Sequence, residues 1–229
     1  MHTHATEPST IDPTTRQVLI FDFDGTLADT KPCIVETATQ VLLEFGLSPE
    51  ELGDVGRLVG PPFPQGYMDI YGLSQRDAEW VTARYREIYD KRGAEAWPPF
   101  PGIADLLDEL HQAGKVLGVA SSKMNYLLER GLTDSKLKPY FDLYQGKVSD
   151  KQTGKADTIA FVMEHLGATE QNTLMIGDRH YDVEDAAKNG IPCVGVTYGD
   201  TGDRAELETA GACAVAESVE ELGRILLGN

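Results

Sequence analysis

Apolar and polar residues follow two different rhythms along this 229-residue chain. Over residues 32–45, Ile34, Val35, Ala38, Val41, Leu42 and Phe45 recur at helical spacing, and Gly46 is the stop. Ser48-Pro49-Glu50-Glu51 reads as a helix start, residues 56–66 as loop, and residues 77–92 as helix again, with Trp80, Ala83, Tyr85 and Ile88 set among charges. Strand patterns are missing between about residues 30 and 97, which predicts a helical subdomain. Outside it the rhythm changes to short apolar runs at 18–21, 116–120, 141–144, 173–176 and 193–196, separated by helical stretches at 103–112, 125–132, 155–166 and up to Asn189-Gly190. Strands alternating with helices predict a parallel, doubly wound α/β sheet with right-handed crossovers. The expected organisation is a Rossmann-like core from residues 16–29 and 99–229, an inserted α-helical subdomain at 30–98, and a disordered tail at 1–15. The proline-dense stretch Trp97-Pro98-Pro99-Phe100-Pro101-Gly102 reads as a linker of limited freedom between the two parts.

Charge narrows the possible partners. Thirty-seven acidic residues against twenty Lys and Arg give a formal net charge of −17. That balance argues against nucleic acid or an anionic membrane, and means that a phosphate site must carry its own local positive charge. Cys33, Cys193 and Cys213 lack the paired spacing of a zinc site and point to a reducing, cytoplasmic compartment. No apolar run approaches the length of a membrane span, and the polar opening has no secretory core. Oligomeric state leaves no mark on the pattern.

Candidate chemistry gathers at strand ends. The first apolar run closes in Asp22-Phe23-Asp24-Gly25-Thr26. Two carboxylates two residues apart on a strand point to the same side, and they do not ionise independently, so one can act as nucleophile while its neighbour holds a proton. Gly25 permits a sharp turn whose N–H groups could cradle an anion. Alone, Asp-Gly-Thr is more often an ordinary capped turn; an EF-hand loop is excluded because its twelfth position would be Cys33. Two later strands also end in polar groups, at Ser121-Ser122-Lys123 and at Gly177-Asp178-Arg179, with Asp182 four residues beyond Asp178 and Lys155 at a helix start. In a parallel sheet those ends share one edge, so the groups can meet in one crevice. Neither a Walker loop nor a dinucleotide glycine fingerprint follows any strand.

Asp22-x-Asp24-Gly25-Thr26, Ser121, Lys155 and Gly177-Asp178-Arg179-His180-Tyr181-Asp182 resemble, in this order, the four motifs of the haloacid dehalogenase superfamily, from about Val18 to the end of the chain. The helical stretch between the first two motifs is similar to members with an α-helical cap, and the nearest likeness is to phosphoglycolate-phosphatase-like hydrolases, some of which are nucleotidases. The resemblance implies that Asp22 is the nucleophile, forming an aspartyl-phosphate, and that Asp24 is the general acid and then the base. It implies Mg²⁺ held by Asp22, the Asp24 backbone carbonyl and Asp178, with Asp182 supporting the shell. Ser121 and Lys155 would bind the transferring phosphoryl group, with contacts from Ser122, Gly25 and Thr26. Haloacid dehalogenases proper lack the second acid, so Asp24 points to phosphoryl transfer. The implied activity is hydrolysis of a small, phosphoglycolate-like phosphate monoester of a metabolite. Alternatives on the same scaffold are a 5'-nucleotidase and a sugar-phosphate phosphatase or phosphomutase; a silent binding protein is a rival from another class. Arg57, in the loop-like part of the insert, is the expected substrate contact, while Arg179 has no assigned role beyond a core salt bridge.

Overall fold

The computed structural model describes residues 11–152 and 154–228. Most of the tail expected at 1–15 therefore lies outside the described residues. Its last part departs from that expectation: Pro13–Thr15 form a 3-10 turn capped by Asp12, whose side chain accepts from the Thr14 amide, and Lys115 donates to the carbonyls of Thr14 and Arg16.

The elements follow in chain order. Strand β1 (Val18–Phe21) leads into four helices, α1 (Lys31–Phe45), α2 (Pro49–Leu52), α3 (Gln65–Tyr71) and α4 (Gln75–Tyr89). The chain then alternates through α5 (Ile103–Gln112), β2 (Val116–Met124), α6 (Asn125–Asp134), β3 (Leu143–Lys147), α7 (Ala156–His165), β4 (Thr173–Gly177), α8 (His180–Lys188), β5 (Cys193–Val196), α9 (Arg204–Ala210), β6 (Ala214–Ala216) and α10 (Val219–Leu227). Among the described residues six strands form one sheet of order β3-β2-β1-β4-β5-β6, and every pairing between these strands is parallel.

Side chains alternate across the sheet and build two cores. Leu19 and Phe21 join Leu117, Val119, Leu174 and Ile176 on one face, while Val18 and Ile20 join Ala120, Met175 and Cys193 on the other. The first face is covered by α5, α6 and α10, through residues such as Leu107, Leu128 and Leu222. Helices α7, α8 and α9 cover the second, through Val162, Val183 and Leu207. The apolar layer on the first face continues without a break into the helical insert, reaching Leu42, Tyr67, Tyr85 and Tyr89.

The connection at residues 97–102 is more firmly held than a linker. Pro99 pairs antiparallel with Ala28, the Asp29 amide donates to Pro98 at 2.8 Å, and the Phe100 amide donates to Leu27 at 3.1 Å. The two passes of chain into and out of the insert thus run side by side. Trp97 is fully buried, edge-on to Tyr89 at 5.8 Å and under the Arg130 guanidinium at 5.0 Å. Replacing it with alanine empties a large buried site, so Trp97→Ala is expected to lose about 3–5 kcal/mol of stability. Urea unfolding reads that loss, and a change below about 1 kcal/mol, within the range of surface substitutions, would show that Trp97 is not the anchor.

Candidate active site

The order in which strands are added to the sheet reverses between β1 and β4: β2 and β3 extend to one side of β1, β5 and β6 to the other side of β4. Ligands of open α/β sheets bind beyond the strand C-termini at such a switch point. Register places the acids there. Phe21 pairs with Ile176 and the Asp22 amide continues the ladder to the Ile176 carbonyl at 2.9 Å, so Asp22 and Asp178 emerge beside one another.

Three buried carboxylates meet at this point. Ligand oxygens of Asp22, Asp178 and Asp182 lie within 4.8 Å of one another. Lys155, itself buried, reaches Asp22 at 2.6 Å and also pairs with Asp182. It is aimed from the start of α7, where its amide donates to Asp185 at 2.5 Å. The second oxygen of Asp182 accepts from the Arg179 amide at 3.1 Å. Asp178 has hydroxyls instead of a cation: Thr26 donates at 3.0 Å to one oxygen and Thr201 to the other. One ammonium thus faces three carboxylates. Burial raises Asp178 to about 8, with the charges of Asp182 and Asp22 adding to it. Burial likewise raises Asp22 to about 6, although Lys155 pulls the other way. Burial also works against the Lys155 ammonium, yet Asp182 and Asp22 outweigh it and its pKa rises. An all-oxygen donor set with an excess of buried negative charge fits a hard divalent cation, and the cluster can hold one.

Asp24 faces elsewhere. Lys123 grips both of its carboxylate oxygens, at 2.8 and 3.0 Å, and lies over the Tyr89 ring from α4 at 4.9 Å. Asp24, Ser122 and Lys123 line a cavity of about 60 Å³ between sheet and insert, together with Gly60, Pro61, Phe63, Tyr85 and Tyr89. Lys147 and Arg86 supply further positive charge to its wall. Both share Asp150, Arg86 through two bonds of 2.7 and 2.6 Å and Lys147 at 3.2 Å. Burial lowers the Lys147 pKa, with Asp150 opposing the shift. The local positive charge demanded by so acidic a chain is therefore present.

Several expectations need correction. Arg57 is exposed and outside the cavity lining, because the 3-10 turn Val55–Leu58 buries Val55, Gly56 and Leu58 and turns Arg57 outward. The Gly25 amide is not free for an anion, since it donates to Ala28 at 3.0 Å. Gly25 serves a close approach instead: at φ +77°, a Cβ there would lie 2.8 Å from the Asp178 carboxyl carbon. The Thr26 hydroxyl is spent on Asp178 rather than left for phosphate. Ser121 is buried, and its hydroxyl accepts from the Lys123 amide at 3.3 Å. The roles of Lys147, Arg86, Tyr85, Tyr89 and Thr201 leave no signal in the sequence, and Lys123 is marked only as the last residue of the Ser-Ser-Lys run in β2.

Comparison with known proteins identifies the family. Residues 19–196 match the family model for haloacid dehalogenase-like hydrolases. A 5'-nucleotidase of Pseudomonas aeruginosa is 31% identical over 182 residues, 79% of this chain and 82% of that protein. A phosphoglycolate phosphatase of Caulobacter vibrioides is 30% identical over 218 residues, 92% of this chain and 90% of that protein. Among solved structures, a predicted phosphatase from Clostridium acetobutylicum superposes with a TM-score of 0.88 at 35% identity, covering 93% of this chain and 99% of that one. With the family model spanning most of its length and phosphatases among its relatives, the chain belongs to the haloacid dehalogenase-like hydrolases, in their phosphoglycolate-phosphatase-like branch, and is by class a phosphoric monoester hydrolase.

Proposed function

We propose that the protein is a Mg²⁺-dependent phosphatase that hydrolyses a small phosphate monoester through an aspartyl-phosphate on Asp22. The observation that carries this reading is the division between two acids two residues apart: Asp22 joins the buried carboxylate cluster with Lys155, whereas Asp24 lines the cavity and has its own lysine. A nucleophile belongs with the charges that receive a phosphate, and a proton donor belongs where the leaving group sits.

In the first step an Asp22 oxygen bonds to phosphorus as the ester P–O bond breaks, and Asp24 gives its proton to the departing alcohol oxygen. In the second, Asp24 takes a proton from water, whose oxygen bonds to phosphorus while the Asp22–phosphorus bond breaks. Lys155 and Ser121 would hold the phosphoryl oxygens and offset their growing charge. Lys123 orients Asp24. Asp22, Asp178 and the Asp24 carbonyl would hold the cation, with Asp182 supporting them. When bound, Mg²⁺ would offset the repulsion between the Asp22 carboxylate and the phosphate dianion.

The cavity holds only a few water-sized groups, which favours a leaving alcohol the size of glycolate. Its aromatic faces, Phe63, Tyr85 and Tyr89, favour a nucleoside as second reading, one that requires the insert to open. Phosphate release from 2-phosphoglycolate, nucleoside 5'-monophosphates and hexose phosphates separates these. Exhaustive EDTA is expected to stop turnover and Mg²⁺ to restore it. Activity that survives chelation would overturn the metal assignment, dependence on a bisphosphate primer would favour a mutase, and no turnover of any ester would leave a binding protein.

A further inference from the structure

Arg179 follows the buried Asp178 directly and its amide donates to Asp182, yet its side chain neither joins the carboxylate cluster nor lines the cavity. Its side chain is nonetheless 9% exposed, so an always-charged guanidinium has been withdrawn from water for some other purpose. Its contacts name that purpose. Nε donates to Glu206 of α9 at 2.9 Å, and Nη1 donates to the backbone carbonyl of Val59 at 2.5 Å. Glu206 is itself fixed by the His180 amide at 2.9 Å. One end of the guanidinium is therefore anchored to the sheet domain, and the other holds a carbonyl of the helical insert, 120 residues away in sequence.

The segment it holds is the one that shapes the cavity. Gly60 follows Val59, and Gly60, Pro61 and Phe63 form one wall. Gly60 has φ +107°, and a Cβ there would stand 2.9 Å from Arg179 Cγ, so the loop lies directly on the arginine stem. On the opposite flank the insert is held by Arg86 on Asp150 and by Lys147 on the Phe63 carbonyl. On the flank of α8 and α9 the insert is held by Lys31 on Asp200 and by Arg179, which is next in sequence to an acid of the carboxylate cluster.

We propose that Arg179 is a positioning residue: braced by Glu206, it holds the Val59–Gly60 backbone so that residues 60–63 form the wall against which the leaving group is recognised. The role is geometric. A guanidinium presents donors in a rigid fork and can serve Glu206 and Val59 together, which a single ammonium does less well. Loss of the clasp should loosen residues 55–63 and weaken substrates that fill the cavity, leaving the buried acids in place.

The test compares wild type with Arg179→Lys, Arg179→Met and Glu206→Gln; the last removes the brace at a more exposed residue and retains a hydrogen-bond acceptor. Hydrogen–deuterium exchange of the metal-free proteins is expected to rise in peptides covering residues 55–63 for Arg179→Met, less for the other two, with the β4 peptides unchanged. In kinetics, KM for 2-phosphoglycolate should rise roughly tenfold in Arg179→Met, as expected for a lost charge-assisted contact acting on binding, while kcat falls less than threefold. Efficiency with p-nitrophenyl phosphate should fall several times less, and Arg179→Lys should recover part of the KM. Unchanged exchange at 55–63 would overturn the inference, as would equal losses on both substrates or a fall confined to kcat. The kinetic arm rests on the phosphatase reading. If wild type releases no phosphate, that reading fails by itself, and the exchange result still decides whether Arg179 holds the loop.

Discussion

Asp22→Asn is expected to reduce phosphate release at least about ten-thousandfold, the scale on which removal of a covalent nucleophile acts. The replacement is nearly isosteric, and the carboxamide oxygen can still accept from the Phe23 amide, which Asp22 now binds at 2.7 Å. Lys155 keeps Asp182 as a partner, so its buried ammonium is not orphaned. Removing one of three crowded carboxylates also relieves the repulsion that helps raise Asp178. The variant should therefore fold at least as well as wild type, and lost activity cannot be attributed to unfolding. Phosphate release measured beside thermal unfolding checks both halves. Turnover within tenfold of wild type would remove Asp22 from the nucleophile's place and make its carboxylate an ion-pair partner only.

Asp24→Asn is expected to cost roughly a hundredfold to ten-thousandfold in kcat, the range for a lost general acid and base. Here the structural cost is real. Lys123 is as buried as its partner, with side-chain exposures of 6% and 12%, and without the carboxylate its ammonium retains the Tyr89 hydroxyl at 3.4 Å and the faces of Tyr89 and Phe23. Leaving a buried charge without its partner costs about 3–5 kcal/mol, so unfolding and kinetics must be measured on the same sample. Asp24→Ala provides an independent check. It retains the nucleophile and lacks the base for water, so with an activated ester such as p-nitrophenyl phosphate, Asp22 should accumulate one phosphoryl group, visible by intact-protein mass spectrometry after acid quench. A variant that turns over normally without accumulating that adduct would contradict the assignment.

How far the pattern of residues could be read varies between elements for a physical reason. β1, β4 and β5 are buried on both faces, so each is a continuous apolar run, which is the signal a buried parallel strand leaves. β3 starts two residues later than the expected 141–144, since Phe141 caps the preceding 3-10 turn, and ends three later, because the chain carries its pairing on to Lys147 through polar positions that no apolar rule selects. α3 and β6 are not predicted by the pattern, and neither are α9 and α10. α3 lies just beyond a stretch of prolines and glycines that reads as loop, and β6 is only Ala-Val-Ala.

The same division runs through the site. Motif residues could be placed because each sits at the end of a strand or the start of a helix, and a parallel sheet brings such ends to one edge whatever the loops do. The sequence by itself thus determined the family, the α/β class, and the meeting of Asp22, Lys155, Asp178 and Asp182. Tertiary structure alone decided which cations serve the cavity. Lys123 meets Asp24 across 99 residues and Arg179 meets Val59 across 120, and nothing local encodes either pairing. Arg57 and Arg179 show the difference: both are arginines within two residues of a glycine, yet one 3-10 turn sends the first into solvent while the packing of α9 and the insert encloses the second. Hydrophobic periodicity is a property of neighbouring residues and survives in the sequence. The direction in which a long charged side chain finds its partner is set by how separate elements pack, and exists only once they have packed.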